Sequence, residues 1–132
     1  MKPEVNITRR YYVPQEKLWG ALAEGFLFIY TGAVKETLKV DFKTGGKIYV
    51  QWKGHGDMNG EFLEVTPQSK ITFTWKTPQV DSTVYLNITN HNTYCEMNLR
   101  HEFPVGTDTK DYDFGWDDAM YDLKKHVYDK KK

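Results

Sequence analysis

The chain has 132 residues, with 18 basic and 18 acidic side chains and one cysteine. That length supports one hydrophobic core without staples. The cancelled charge lacks the positive field of a nucleic-acid or anionic-membrane binder, and Cys95 alone excludes an internal disulfide and fits a reducing compartment. Met1 to Glu4 hold no signal-peptide apolar run, and no stretch approaches the about 18 apolar residues of a membrane span. The expectation is a cytoplasmic, soluble protein, in which the sequons at Asn6 and Asn87 carry no glycan.

Residues 5–13 (VNITRRYYV) alternate and are rich in β-formers, which predicts a first strand. Pro14 then stands where a helix begins, and Leu18, Trp19, Leu22, Ala23 and Phe26 recur at helical spacing, so 14 to about 24 reads as a short amphipathic helix interrupted near Gly25. The next run, FLFIYTGAV, fits a second short helix or an irregular segment. From there the period is two: 35–42, 46–53, 59–66, 70–76, 82–90 and 93–103 each read as a strand.

One face of these strands collects Ile48, Val50, Trp52, Leu63, Val65, Ile71, Phe73, Trp75, Val84, Leu86, Ile88, Cys95, Met97, Leu99, His101 and Phe103. The other collects Lys47, Gln51, Thr72, Thr74, Asn87, Thr89, Glu96, Asn98 and Arg100. Such alternation predicts an antiparallel sheet wet on one side, whose dry face needs a cover. Residues 111–129 supply it, with Phe114, Trp116, Ala119, Met120, Leu123 and Val127 at helical spacing. Asp117 and Asp118 near the start and Lys124, Lys125 and His126 near the end suit the helix dipole. The whole reads as one domain, residues 1–132, with a basic tail at 129–132.

This order resembles the α+β helix-grip fold, a curved antiparallel sheet of about six to seven strands wrapped on a long C-terminal helix, with two short helices after strand 1. It is the fold of the START-like, or Bet v 1-like (SRPBCC), superfamily. Local motifs resemble the activator of Hsp90 ATPase homologue 1-like family: Pro14 with Trp19, "DFKTGGKIYV", "GEFLEVTPQSKITFTW" (60–75), "MNLRHEFP" (97–104) and "GWDDAMYDL" (115–123). The resemblance runs from about Val5 to Val127. One stretch departs from it. Where members carry an Asp-Pro pair and a tryptophan in a loop over the cavity mouth, this chain has "AEGFLFIYTGAV", with Phe28 and Tyr30 as its aromatics.

Several groups invite a chemical reading. Gly45-Gly46 lies beside Lys43 and Lys47, but a phosphate loop needs glycines opening a helix, and here a strand follows. A two-residue turn needing positive φ is expected instead. His55 and Asp57 lie in a glycine-flanked connection without a third ligand, short of a zinc site, so no metal and no cofactor is expected.

His101 falls on the apolar face, where a lone histidine is expected to be satisfied by backbone or tyrosine partners. In a helix-grip fold the same face lines the cavity, so a role in orienting a ligand stays open. Cys95 lies roughly 20 Å along the same strand, and neither a cysteine nor a serine is paired with His101 by spacing; catalytic residues are expected to be none. Glu61 and Tyr85 enter the cavity only if a bulge shifts the register.

The expected function is a non-catalytic binding domain for a small apolar or aromatic ligand, lined by Trp52, Phe73, Trp75, Met97, His101, Trp116 and Met120. Two alternatives stay open: a module binding an Hsp90-type chaperone and stimulating its ATPase, as the family name implies, and cyclase- or hydrolase-like chemistry, as the superfamily implies. No nucleic acid or membrane partner is expected, and the chain is read as a monomer or weak homodimer.

Overall fold

The computed structural model describes residues 2–23, 33–53 and 56–129. In chain order these form β1 (Glu4–Tyr11), α1 (Gln15–Ala23), a 3-10 turn (Lys35–Thr37), β2 (Lys39–Val40), β3 (Lys47–Trp52), β4 (Gly56–Thr66), β5 (Lys70–Lys76), β6 (Asp81–Asn90), β7 (Cys95–Glu102) and α2 (Lys110–Asp129). The strands make one antiparallel sheet in the order β1-β7-β6-β5-β4-β3-β2. With α2 against its dry face, this is the helix-grip architecture. No described helix is long and apolar enough to cross a membrane. The expected second short helix after strand 1, the break at Gly25, the loop aromatics Phe28 and Tyr30, His55 and the lysines 130–132 lie outside the described residues.

Local chemistry explains the elements. The Pro14 carbonyl accepts from the N–H groups of Lys17 and Leu18 (3.1 and 3.2 Å), which starts α1 and turns Leu18, Ala21 and Leu22 inward. The predicted strand over 35–42 shortens to the 3-10 turn and a two-residue β2. The turn is closed by the Thr37 hydroxyl and N–H, both donating to Val34 O (2.9 and 3.1 Å). Strict alternation holds along β5, β6 and β7, whose inward residues are buried one after another.

β4 corrects the sequence reading. Met58 and Phe62 are its buried residues, while Leu63 is 51% exposed. The register against β5 shifts between Phe62 and Glu64, so a bulge inserts one residue and flips the parity behind it. The bulge lies beyond Glu61, which stays on the wet face paired with Lys47 Nζ (3.2 Å). Tyr85 also stays outside, its ring beneath the Arg100 guanidinium (4.1 Å). Neither enters the interior.

The Gly45-Gly46 pair is a turn, as expected, within a connection running from 41 to 46 rather than two residues. Gly45 has φ +86°. Its N–H donates to Phe62 O (2.8 Å), and Phe62 N–H donates to Gly46 O (2.9 Å), docking the turn on β4. A strand, not a helix, follows, so no helix N-terminus faces an anion there.

The long helix is held to the sheet by an apolar stripe and by polar clamps. Trp116, Ala119, Met120, Leu123 and Val127 are buried. The Tyr11 hydroxyl, fully buried on β1, donates to Met120 O (3.0 Å), and Arg9 pairs with Asp117 at the sheet edge. Phe114, expected in the apolar stripe, is 65% exposed; Tyr112, one turn before Trp116, is the residue packed against the core.

Two glycines test the packing. A Cβ at Gly60 would lie 2.2 Å from Thr74 O on the neighbouring strand, whereas one at Gly20 in α1 meets nothing within 4 Å. Gly60→Ala is therefore expected to lower stability by about 1–3 kcal/mol. Gly20→Ala is expected to raise it by about 0.5–1 kcal/mol, both read by urea denaturation.

Candidate functional site

Around His101 four polar groups meet in an apolar setting. The side chain is fully buried and stacks on Phe103 (ring centroids 4.0 Å), with Trp75 at 5.1 Å and Tyr112 at 5.5 Å. Trp116 Nε1–H donates to His101 Nδ1 (3.0 Å). An indole N–H can only donate, so Nδ1 must be bare and the neutral ring carries its proton on Nε2. That proton is given to Ser82 Oγ (2.7 Å), and the Ser82 hydroxyl donates to Trp75 O (3.2 Å). The chain of bonds joins α2, β7, β6 and β5, and each side-chain polar atom in it has a partner.

This arrangement decides the chemistry open to His101. Burial pushes its pKa down to about 3, and a second ring proton would face the Trp116 N–H. Sequence spacing paired no serine with this ring, yet Ser82 is there; the two sit on adjacent strands, a contact the linear order hides. The pair has the wrong polarity for a nucleophilic dyad. A general base must accept the serine proton at Nε2 while its other nitrogen donates to an orienting carboxylate. Here Nε2 donates and the Nδ1 partner is a donor. The expected backbone or tyrosine partners of His101 are replaced by Ser82 and Trp116.

Cys95 is no better placed. Its thiol donates to Val13 O (3.2 Å), and burial raises its pKa, keeping it protonated. Among the described residues no group of three or more His, Cys, Asp or Glu side chains is placed to hold a metal ion. Asp57 instead accepts from the Tyr49 hydroxyl (2.7 Å).

Open space lies just beyond the buried ring system. Where α2 begins, a groove of about 360 Å³ is lined by Trp52, Trp75, Thr77, Gln79, Asp111, Tyr112, Gly115 and Trp116. Trp52 stacks on Trp75 (5.4 Å, 29°), while Trp116 and Tyr112 stand steeply to it (62° and 77°). The aromatic wall is therefore a corner rather than a slab. Burial, and then the neighbouring Asp111 charge, raise the Tyr112 phenol pKa.

The seven residues expected to line a cavity divide between these two places. Trp52, Trp75 and Trp116 border the groove. Phe73, Met97, His101 and Met120 are fully buried in the core and do not line it. Thr77, Gln79, Asp111 and Tyr112 escaped the sequence reading. Tyr112 had a signal, since 112, 116, 120, 123 and 127 form one helical stripe. Ser82 had one too, sharing parity with Val84, Leu86 and Ile88.

Comparison with known proteins gives the same architecture. The model of one family, described as activator of Hsp90 ATPase homolog 1-like protein, matches residues 12–128. No curated protein matches the chain. Among solved structures, MLL2253 from Mesorhizobium loti is 20% identical with a TM-score of 0.81, over 98% of this chain and 99% of that one. CalU16 from Micromonospora echinospora is 20% identical with a TM-score of 0.77, over 98% and 78%. PFC0360w, an HSP90 activator from Plasmodium falciparum, is 24% identical with a TM-score of 0.73, over 94% and 95%.

The neutral His101 makes a prediction about acid. Its pKa is 6.5 when free and about 3 in the folded chain. Below pH 6.5 the unfolded chain binds a proton that the folded chain refuses, so this residue's stability contribution falls as pH drops toward 3, by about 1.4 kcal/mol per pH unit. Urea denaturation of the native protein and of His101→Gln, at pH 7 and at pH 4.5, reads it. The native protein is expected to lose more stability over that interval than the variant; equal losses would contradict a buried neutral ring.

Proposed function

The chain belongs to the activator of Hsp90 ATPase homologue 1-like family, and from that premise we propose that it is a non-catalytic domain binding a small apolar or aromatic molecule. The observation carrying this reading is the groove at the start of α2, with its corner of tryptophans and tyrosine. About 360 Å³ is near the low end of ligand-pocket volumes, enough for one or two fused rings. Trp52 and Tyr112, only partly buried, supply the apolar area, at about 25 cal/mol per Å² buried, over a floor of Trp75 and Trp116 that are 6% and 2% exposed. Thr77, Gln79 and Asp111 at the same groove offer polar contacts that fix orientation.

The position differs from the central cavity expected between sheet and helix. Phe73, Met97 and Met120 keep the middle of that interface for the core, and His101 supports the wall from behind. Among the described residues no acid–base pair of usable polarity meets His101, which weighs against hydrolase- or cyclase-like work by that residue. The single buried thiol of Cys95 accords with a reducing, cytoplasmic setting.

The family description and the Plasmodium neighbour favour one second reading, binding to an Hsp90-type chaperone. Stimulation of a purified chaperone's ATPase by the isolated chain tests it, and no stimulation at saturating protein removes it.

For the first reading, a thermal-shift series with single- and fused-ring aromatic compounds is the experiment. A binder is expected to raise the melting temperature with concentration, as linkage requires. Trp52→Ala is expected to weaken that binder at least about tenfold by deleting one wall of the corner, while Phe114→Ser, outside the groove, leaves its affinity unaltered. A series in which no compound shifts the native protein overturns the reading.

A further inference from the structure

The groove's lining has a charge as well as a shape. Three indoles and a phenol line the groove, and among the described residues its one acidic side chain is Asp111, with no lysine or arginine bordering it. Aromatic faces carry the negative end of the ring quadrupole and attract a positive centre placed over them. Trp75 is packed under a stacked Trp52 and against Tyr112 and Trp116 at 77° and 62°, so the partly buried Trp52 and Tyr112 are the rings left to meet a ligand. A carboxylate at the same place adds attraction of the same sign. An anionic ligand would meet both the quadrupoles and Asp111 without a compensating cation among the described residues.

We propose that the groove selects organic cations: small ligands carrying an ammonium or a positively charged aromatic ring, seated against Trp52 and Tyr112 with Asp111 as counter-charge. This rests on the groove being the binding place, and it adds a demand that a plain hydrophobic site does not make. A neutral hydrocarbon of the same shape gains the apolar burial alone. The cation gains in addition the ring electrostatics, which strengthen as water is excluded, and the Asp111 attraction, which salt screens.

The test uses two probes of matched shape, trimethylphenylammonium and tert-butylbenzene, titrated into the native protein and followed by tryptophan fluorescence and by calorimetry. The proposal expects the cation to bind at least about fivefold more tightly than the hydrocarbon. In Asp111→Asn that ratio is expected to fall about threefold, and in the native protein it is expected to shrink as sodium chloride is raised. Circular dichroism of the variant checks that α2 is retained. Equal affinities of the two probes, or a ratio indifferent to both Asp111 and salt, overturn the selection of cations and leave the groove as an apolar site. If neither probe binds at millimolar concentration, the cation proposal fails together with the binding reading beneath it.

Discussion

One constraint organises this protein: a histidine buried without charge between a tryptophan that must donate and a serine that can accept. Because Trp116 Nε1–H takes Nδ1, the proton is forced to Nε2, Ser82 is made an acceptor there, and its own proton goes to Trp75 O. A buried polar chain of this kind is costly if any link is missing and specific if all are made. Here the side-chain links are complete. They fix the rotation of α2 and the relative positions of β5, β6 and β7, since a turn of the helix or a slip of one strand leaves a buried nitrogen bare.

The groove follows from that fixing. Two of its walls, Trp75 and Trp116, belong to residues in the bonded chain, one through its carbonyl and one through its indole N–H. His101 packs against them and stacks on Phe103. Further along α2 the Tyr11 hydroxyl on Met120 O and the apolar stripe from Ala119 to Val127 close the sheet–helix interface. Where α2 begins, ahead of that stripe, space opens between Trp52, Tyr112 and the turn carrying Thr77 and Gln79. Stability and candidate function thus share residues: the core fills most of the interface, and its last layer becomes a wall.

Much of the fold was legible because a half-wet sheet writes itself as alternation. β5 was bounded from sequence as it stands, and α2 within one residue at its start. The failures have particular causes. A strict period of two turns Leu63 inward because a bulge is invisible to it, and helical spacing admits Phe114 to the stripe although Tyr112 sits one turn before Trp116. His101 was placed on the right face, but its partners lie 19 and 15 residues away in the chain, and parity says which side a residue faces, not whom it meets. Groove residues at element ends, such as Thr77 and Gln79, carry no periodic signal.

The most direct measurement is of the His101 ring itself, by ¹⁵N-resolved NMR of the imidazole nitrogens across pH. The account predicts Nε2 protonated and Nδ1 bare at neutral pH, with a Trp116 indole proton shared to Nδ1, and no titration of this ring from pH 7 to about 4. A proton on Nδ1, or a midpoint near the ordinary histidine value, would contradict it, because neither state can coexist with the bonds from Trp116 to His101 and on to Ser82.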